Sequence, residues 1–260
     1  MTIKIEKIKE EKKINKLTFM IKGSDEVFAN TIRRMILEEV PVLAIEDIEV
    51  KANSSALYDE MLALRLGLVP IKTDLSSYRL PKNQDEIDEK SAQCTLQIKL
   101  KASKKGYVYA EEAESTDPKC TFVYPKMPVG KLLAKQKLDL VMTAVMGKGR
   151  DHAKWIPGWA FYRNEQKLKI GKVKDAGLLL SKCTDGVFKK DGLGLTVVED
   201  KAAESNLLEY YAELDSGLTV EYTDNIIFTL ESWGQLSCKQ LLEASADILA
   251  EKAKELEAQL

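Results

Sequence analysis

The sequence predicts an α+β fold, and three patterns in its 260 residues carry that prediction. Apolar and polar residues alternate over the first twenty positions and again in several later stretches. An amphipathic helix follows at residues 24–40, and a long helix with a heptad seam closes the chain.

Taken in order, Ile3 and Ile5, then Leu17, Phe19 and Ile21, alternate with polar residues, the pattern of an antiparallel hairpin with one buried face. Ser24 is placed to cap the helix that follows, and Asp25 and Glu26 sit where the helix dipole favours negative charge. Pro41 closes it, because the residue before a proline is pushed out of the helical region. Phe28, Ile32, Met35 and Ile36 fall at i, i+4, i+7 and i+8 and form one apolar face, with Arg33 and Arg34 pointing elsewhere. Residues 45–50 read as a third strand. The turn cluster Asn53-Ser54-Ser55 is suited to cap a second helix that runs through Leu66 and stops at Gly67, with Pro70 beyond.

Residues 76–91 are polar and read as a loop. The acidic run at 85–89 lacks the register of a calcium loop and reads as a solvated charge run. Leu96, Ile98 and Leu100 alternate, Lys104-Lys105-Gly106 signals a turn, and Tyr107 and Tyr109 resume the alternation, which reads as a hairpin, so a second β-rich unit begins near residue 51. Residues 129–136 read as a short helix and 138–145 as a strand apolar on both sides, broken by Gly147-Lys148-Gly149. Residues 164–216, with glycines at 186, 192 and 194, read as a small appendage mixing turns with one helix. Residues 222–230 form a strand, Trp233-Gly234 a turn, and Ser237 caps a final helix reaching about Leu256. Along it Leu242, Ala246, Leu249, Ala253, Leu256 and Leu260 are spaced 4, 3, 4, 3, 4, the seam of a helix lying lengthwise on another. The first helix or a second chain would supply the mate; periodicity does not choose between them.

Composition narrows the function. The 39 basic and 41 acidic residues leave a net charge of −2, so there is no global positive field to hold a nucleic-acid backbone. No recognition motif occurs either, and direct sequence-specific DNA binding is not expected. No apolar run approaches the ~20 residues of a membrane span, and the N-terminal residues alternate where a signal peptide would be continuously apolar. The expected address is cytoplasmic, with no membrane partner. Cys94, Cys120, Cys183 and Cys238 are dispersed and read as free structural thiols.

Catalytic constellations are missing. His152 is the one histidine, and the chain has no phosphate-binding glycine loop and no nucleophile elbow. His152 beside Asp151 reads as a general base or as a packed, loop-anchoring side chain, and the second reading is favoured because no oriented nucleophile accompanies it. Adjacent helical side chains diverge by ~100°, so Asp59 and Glu60 are not a cooperating carboxylate pair but a dipole match and surface contact. Trp155, Trp159, Phe161 and Tyr162 fit a core or protein interface better than base stacking, given the neutral charge. No catalytic residue is expected.

Three segments together resemble one family. Residues 28–37, Phe-Ala-Asn-Thr-Ile-Arg-Arg-Met-Ile-Leu, look like an Asn-x-hydrophobic-Arg-Arg helix. Residues 59–70 are similar to an Asp-Glu-x-x-Ala-x-Arg-Leu-Gly-Leu-x-Pro signature, and residues 152–155 to a His-Ala-Lys-Trp segment. These belong, in this order, to the D subunit of archaeal RNA polymerase, the equivalent of the third-largest subunit of eukaryotic polymerase II and of the N-terminal domain of bacterial α. The matches span roughly residues 15–160 and 220–255.

The resemblance implies a two-part, α-subunit-like architecture. A dimerisation domain, an antiparallel sheet plus two long helices, would be drawn from residues 1–50 and 217–260 and interrupted by a β-rich insert domain at 51–163. The appendage at 164–216 stands where some archaeal members carry a cysteine-ligated iron–sulfur insert. Only Cys183 lies in it; the eukaryotic relative has a zinc loop after its Gly-Leu-x-Pro segment, whereas here Cys94 stands alone at a distance, so no metal and no cofactor are expected. The implied function is that of a non-catalytic assembly platform of a DNA-dependent RNA polymerase, a nucleotidyltransferase complex. It would pair with a small L-type subunit and be joined by the small N and P subunits and the second-largest, catalytic subunit. Expected contacts with the L-type subunit are Phe28, Ile32, Met35, Ile36, Leu242, Leu249 and Leu256; with the large subunit, Arg33, Arg34, Asp59, Glu60, Arg65, His152, Lys154 and Trp155. The alternatives are a self-associating homodimeric scaffold of bacterial-α type, and an enzyme using His152 and Asp151.

Overall fold

A computed structural model describes residues 3–191 and 194–260; Gly192, read above as a turn glycine, lies outside the described residues. In chain order the elements are β1 (Lys4–Glu11), β2 (Lys16–Lys22), α1 (Glu26–Arg34) continued by a π-helical turn (Met35–Glu39), β3 (Val42–Asn53), α2 (Asp59–Gly67), α3 (Gln84–Asp88), β4 (Thr95–Ala102), β5 (Gly106–Tyr109), β6 (Ala113–Ser115) and β7 (Pro128–Leu132). They continue with β8 (Leu138–Gly147), β9 (Gly158–Ile170), α4 (Ala176–Lys182), β10 (Phe188–Asp191), β11 (Gly194–Val197), α5 (Glu199–Glu204), α6 (Leu208–Leu214), β12 (Leu218–Ser232) and α7 (Cys238–Glu257). The fold is α+β, and the pairs β3–β8, β4–β8, β4–β6, β5–β7 and β10–β11 run antiparallel.

Packing divides the chain into two compact units. The first comprises Met1–Glu10, Leu17–Asn30 and Phe161–Thr229. Its four-stranded sheet has the order β1-β2-β12-β9. Phe19 and Phe228 stack in it with ring centroids 5.2 Å apart. The appendage has a core of its own: Leu179, Val187, Phe188, Leu195, Leu208 and Tyr211 are buried together around the β10–β11 hairpin.

The second unit comprises Glu11–Lys16, Thr31–Ala160 and Leu230–Leu260. Its main sheet has the order β3-β8-β4-β6, with β5 and β7 forming a separate ribbon. β8 is apolar on both sides because both of its faces are covered in its second half: Met142, Ala144 and Met146 on one face and Thr143 and Val145 on the other are buried. α2 covers β3 and turns Leu62 and Leu66 into the core. The packing crosses the boundary read at residue 50, because β3 is one continuous strand that pairs with β8 from Val42 to Asn53.

Five local expectations are corrected. The strands read as a 96–109 hairpin do not pair with each other: β4 lies between β8 and β6, and β5 pairs with β7. Residues 129–136 do not form a helix: Pro128–Leu132 is a strand, with Val108 opposite Gly130 and Gly106 opposite Leu132. Gly130 disfavours a helix interior, and the ribbon buries Val129 and Leu132. The polar stretch at 76–91 contains α3, capped by the Asn83 side chain, which accepts from Glu86 N at 3.2 Å. Arg79 fixes it with two 2.8 Å bonds to the Glu86 carboxylate. α1 is capped by Asp25, whose Oδ1 accepts from Phe28 N at 2.9 Å, and not by Ser24. The 53–55 cluster builds a turn ahead of α2, Asn53 donating to Leu57 O at 2.8 Å and to Asp59 Oδ1 at 2.7 Å.

Candidate subunit interface

α1 ends in a wide turn. Val40 N donates to Met35 O at 3.1 Å, closing a loop of five residues where an α-helix would close four. Glu39, in this turn, is 4% exposed. Three cations converge on its carboxylate: Lys148 Nζ at 2.8 Å from Oε2, Arg150 Nη1 at 2.9 Å from Oε1 and Lys252 Nζ at 2.9 Å from Oε1. Burial alone would raise the Glu39 pKa. The hydrogen bonds from Lys148, Lys252 and Arg150 outweigh it and hold the group at about 2.

The loop after β8 is built to reach this carboxylate. A Cβ on Gly147 would stand 2.3 Å from the Trp155 ring, and one on Gly149 would stand 1.9 Å from Leu37 O, so both positions require glycine. Arg150 N then donates to Glu38 O at 3.2 Å. The residues that follow lock the loop. Trp155 Nε1 donates to Val145 O at 3.1 Å, and Lys154 Nζ donates to Ile45 O at 3.1 Å, pairs with Glu46 and lies 4.5 Å over the Trp155 ring. His152 Nδ1 accepts from Lys154 N at 3.1 Å, and its ring meets Trp155 edge-on at 6.3 Å.

α2 has apolar residues on two faces. Leu62 and Leu66 are buried, whereas Tyr58 at 77%, Met61, Leu64 at 65% and Leu68 are exposed on the other side. An apolar row on a helix surface is the kind of feature that marks an interaction site. Asp59 is held by Asn53, and Arg65 donates to Pro128 O at 2.8 Å. Glu60 is exposed at the same end of the helix.

α7 starts with a capping box in which Gln240 N donates to Ser237 Oγ at 3.3 Å and Ser237 N donates to Gln240 Oε1 at 2.9 Å. It packs against the π turn. Its buried residues are Leu241 and Ser245, with Ile248 half-buried and Lys252 on the same side. The heptad seam lies roughly 90° around the helix from that side. Leu242 and Leu249 are half-buried, Ala246 and Ala253 are exposed, and Leu256 is 61% exposed. The chain's own packing therefore leaves much of the seam open.

With this geometry in view, sequence comparisons give the family. Residues 48–158 match the RNA polymerase Rpb3/RpoA insert domain. Over 244 residues the chain is 34% identical to DNA-directed RNA polymerase subunit Rpo3 of Methanosarcina acetivorans, covering 92% of this chain and 91% of that one. It is 33% identical over 250 residues to the Rpo3 subunit of Pyrococcus furiosus, covering 94% and 92%, and 32% identical over 254 residues to that of Methanothermobacter thermautotrophicus, covering 95% and 96%. The chain belongs to the Rpo3 family of DNA-directed RNA polymerase subunits.

The structure of this Rpo3-family chain sorts the expected site residues. Phe28, Ile32 and Met35 are half-buried, as are Leu242 and Leu249. Ile36 is different: it is 0% exposed and enclosed by its own chain, so its expected contact with a partner is corrected to a core role. Arg33 is half-buried, and Arg34 is exposed with its guanidinium paired to Glu38 at 3.2 and 3.1 Å. His152 Nδ1 bonds within the loop, whereas Lys154 Nζ and Trp155 Nε1 tie the loop to Ile45 and Glu46 on β3 and to Val145 on β8. In place of the His152–Asp151 pair of the enzyme reading, His152 Nδ1 caps the 153–155 turn and Asp151 is exposed beside Arg150. Among the described residues no group of three or more His, Cys, Asp or Glu side chains is placed to hold a metal ion. No helix among them is long and apolar enough to cross a membrane.

Sequence reasoning missed the Glu39 cluster and the outer row of α2. The α2 row had a signal, because apolar residues on two faces of one short helix exceed what a core needs. The cluster had none, since its cations lie more than a hundred residues from Glu39.

Proposed function

We propose that this chain is the assembly platform of an archaeal DNA-dependent RNA polymerase and acts in the cytoplasm by pairing with an L-type subunit. The observation that carries the reading is the orientation of α7, whose regular apolar seam is turned away from the side that its own chain buries. Residues 1–50 and 217–260 supply the dimerisation domain, residues 51–163 the insert, and 164–216 a cluster-free appendage. Phe28 and Ile32 on α1, Met35 at the start of the π turn, and Leu242, Leu249 and Leu256 on α7 form the pairing surface. An obligate interface of this kind typically buries ~2,000 Å² or more.

The second-largest subunit docks on the exposed row of α2, where Asp59, Glu60 and Arg65 flank Met61, Leu64 and Leu68, and on Arg33 and Arg34, whose planar guanidinium groups suit carboxylate or carbonyl partners. The N and P subunits complete the platform. The expected result of a pull-down with mass spectrometry from the native cell is this chain together with L-, N- and P-type and large polymerase subunits; capture of the chain without them would refute the reading. The double variant Arg33→Ala, Arg34→Ala is expected to keep L pairing and lose large-subunit recruitment.

A further inference from the structure

We propose that Glu39 is a positioning residue for the pairing surface: through Lys252 it sets the heading of the outer half of α7 and so aims the seam. The inference deepens the pairing reading and rests on it. α7 has 20 residues, a rod of about 30 Å. Its buried residues, Leu241 and Ser245, lie in its first half, and every residue from 250 to 260 is exposed. A helix held only at its base swings at its tip. Lys252 provides a hold further out, on the same side as Leu241 and Ser245, and its ammonium reaches a carboxylate that cannot move freely. Glu39 is buried in a π turn and gripped by Lys148 and Arg150 from a loop that packs closely on Leu37 and is tied to β3 and β8 through Lys154 and Trp155.

Leu249 and Leu256 stand three residues before and four residues after Lys252, so the Glu39–Lys252 bond lies between the two outer leucines of the seam. Fixing their direction before a partner arrives removes ordering that pairing would otherwise have to supply. An exposed ion pair usually contributes little, but here the acid is enclosed and shared by three cations from two other segments.

The test uses the full chain, free and coexpressed with its L-type subunit. Lys252→Met keeps the aliphatic stem and removes the charge; Lys252→Arg keeps the charge. Hydrogen–deuterium exchange of the free Lys252→Met chain is expected to quicken several-fold across residues 249–257 and nowhere else. Its affinity for the L-type subunit is expected to fall about tenfold, with the melting midpoint nearly unchanged and Lys252→Arg close to wild type. Unchanged exchange and affinity in Lys252→Met would overturn the inference while leaving the pairing intact. Faster exchange throughout the chain with a lowered midpoint would also overturn it, showing a purely structural tie. If the wild-type chain does not bind the L-type subunit, the pairing reading falls, and with it the claim that the heading serves a partner.

Discussion

Glu39 and Asp185 are carboxylates with lowered pKa, one in each of the two compact units, and they are held by opposite kinds of donor. Glu39 is buried and takes three formal cations. Asp185 is half-buried and takes neutral groups: the hydroxyl of Ser205, Tyr211 OH at 2.8 Å, Cys183 Sγ at 3.4 Å and Val187 N at 3.4 Å. In both, burial pushes the pKa up and hydrogen bonding pulls it below the ordinary value. Burial and the bond to Asp185 also push the Tyr211 hydroxyl well above its usual range. The difference teaches what each site is for. Neutral donors close the appendage upon itself around a buried tyrosine. Cations from distant segments instead tie a helix end, a loop and α7 together, and their bonds are stronger because both sides are charged.

The largest expected effect is at Glu39. Glu39→Ala leaves three cations facing one another and is expected to destabilise the unit by about 3 kcal/mol in urea denaturation; a loss as small as that of a surface pair would break the contrast. Tyr211→Phe keeps the ring in the appendage core and deletes the bond to Asp185. It is expected to cost about 1–2 kcal/mol, read by the same denaturation, with exchange protection falling only in residues 164–216.

Acid separates the sites further. The folded Glu39 pKa lies below its ordinary 4.5, so its stabilisation is complete above that value and is lost as pH falls toward about 2. Glu39→Gln is expected to flatten this part of the stability–pH curve, and an unchanged slope would show that other carboxylates dominate. The smallest effect is expected at Arg34→Ala. It removes only an exposed pair with Glu38 four residues on, and the melting curve is expected to stay within error of wild type.

Much of this architecture is legible from periodicity. α1, β8, β12 and α7 each carry a pattern long enough to outweigh local accidents, and Ser237 caps α7 as its sequence suggests. β7 was not legible, because five residues containing Gly130 are ordered by distant partners, the β5 strand they pair with and α2. α3 was hidden within a charged stretch whose order comes from the Asn83 cap and from Arg79, which binds Glu86 and Gln93. Of the interface, the seam and the arginine pair were readable as spacing. The burial of Ile36 and the Glu39 cluster were not, because both depend on contacts that local sequence does not encode. The internal bonding of Lys154 was equally hidden, since its acceptors Ile45 and Glu46 lie on another strand.

The central claim is that the open seam of α7 pairs with a different, smaller subunit. Light scattering after size exclusion, on the chain coexpressed with its L-type subunit, tests it most directly. The account predicts a one-to-one heterodimer that Leu249→Lys with Leu256→Lys abolishes while leaving the circular dichroism spectrum unchanged. A stable monomer indifferent to the L-type subunit, or a tight homodimer that excludes it, would contradict the account.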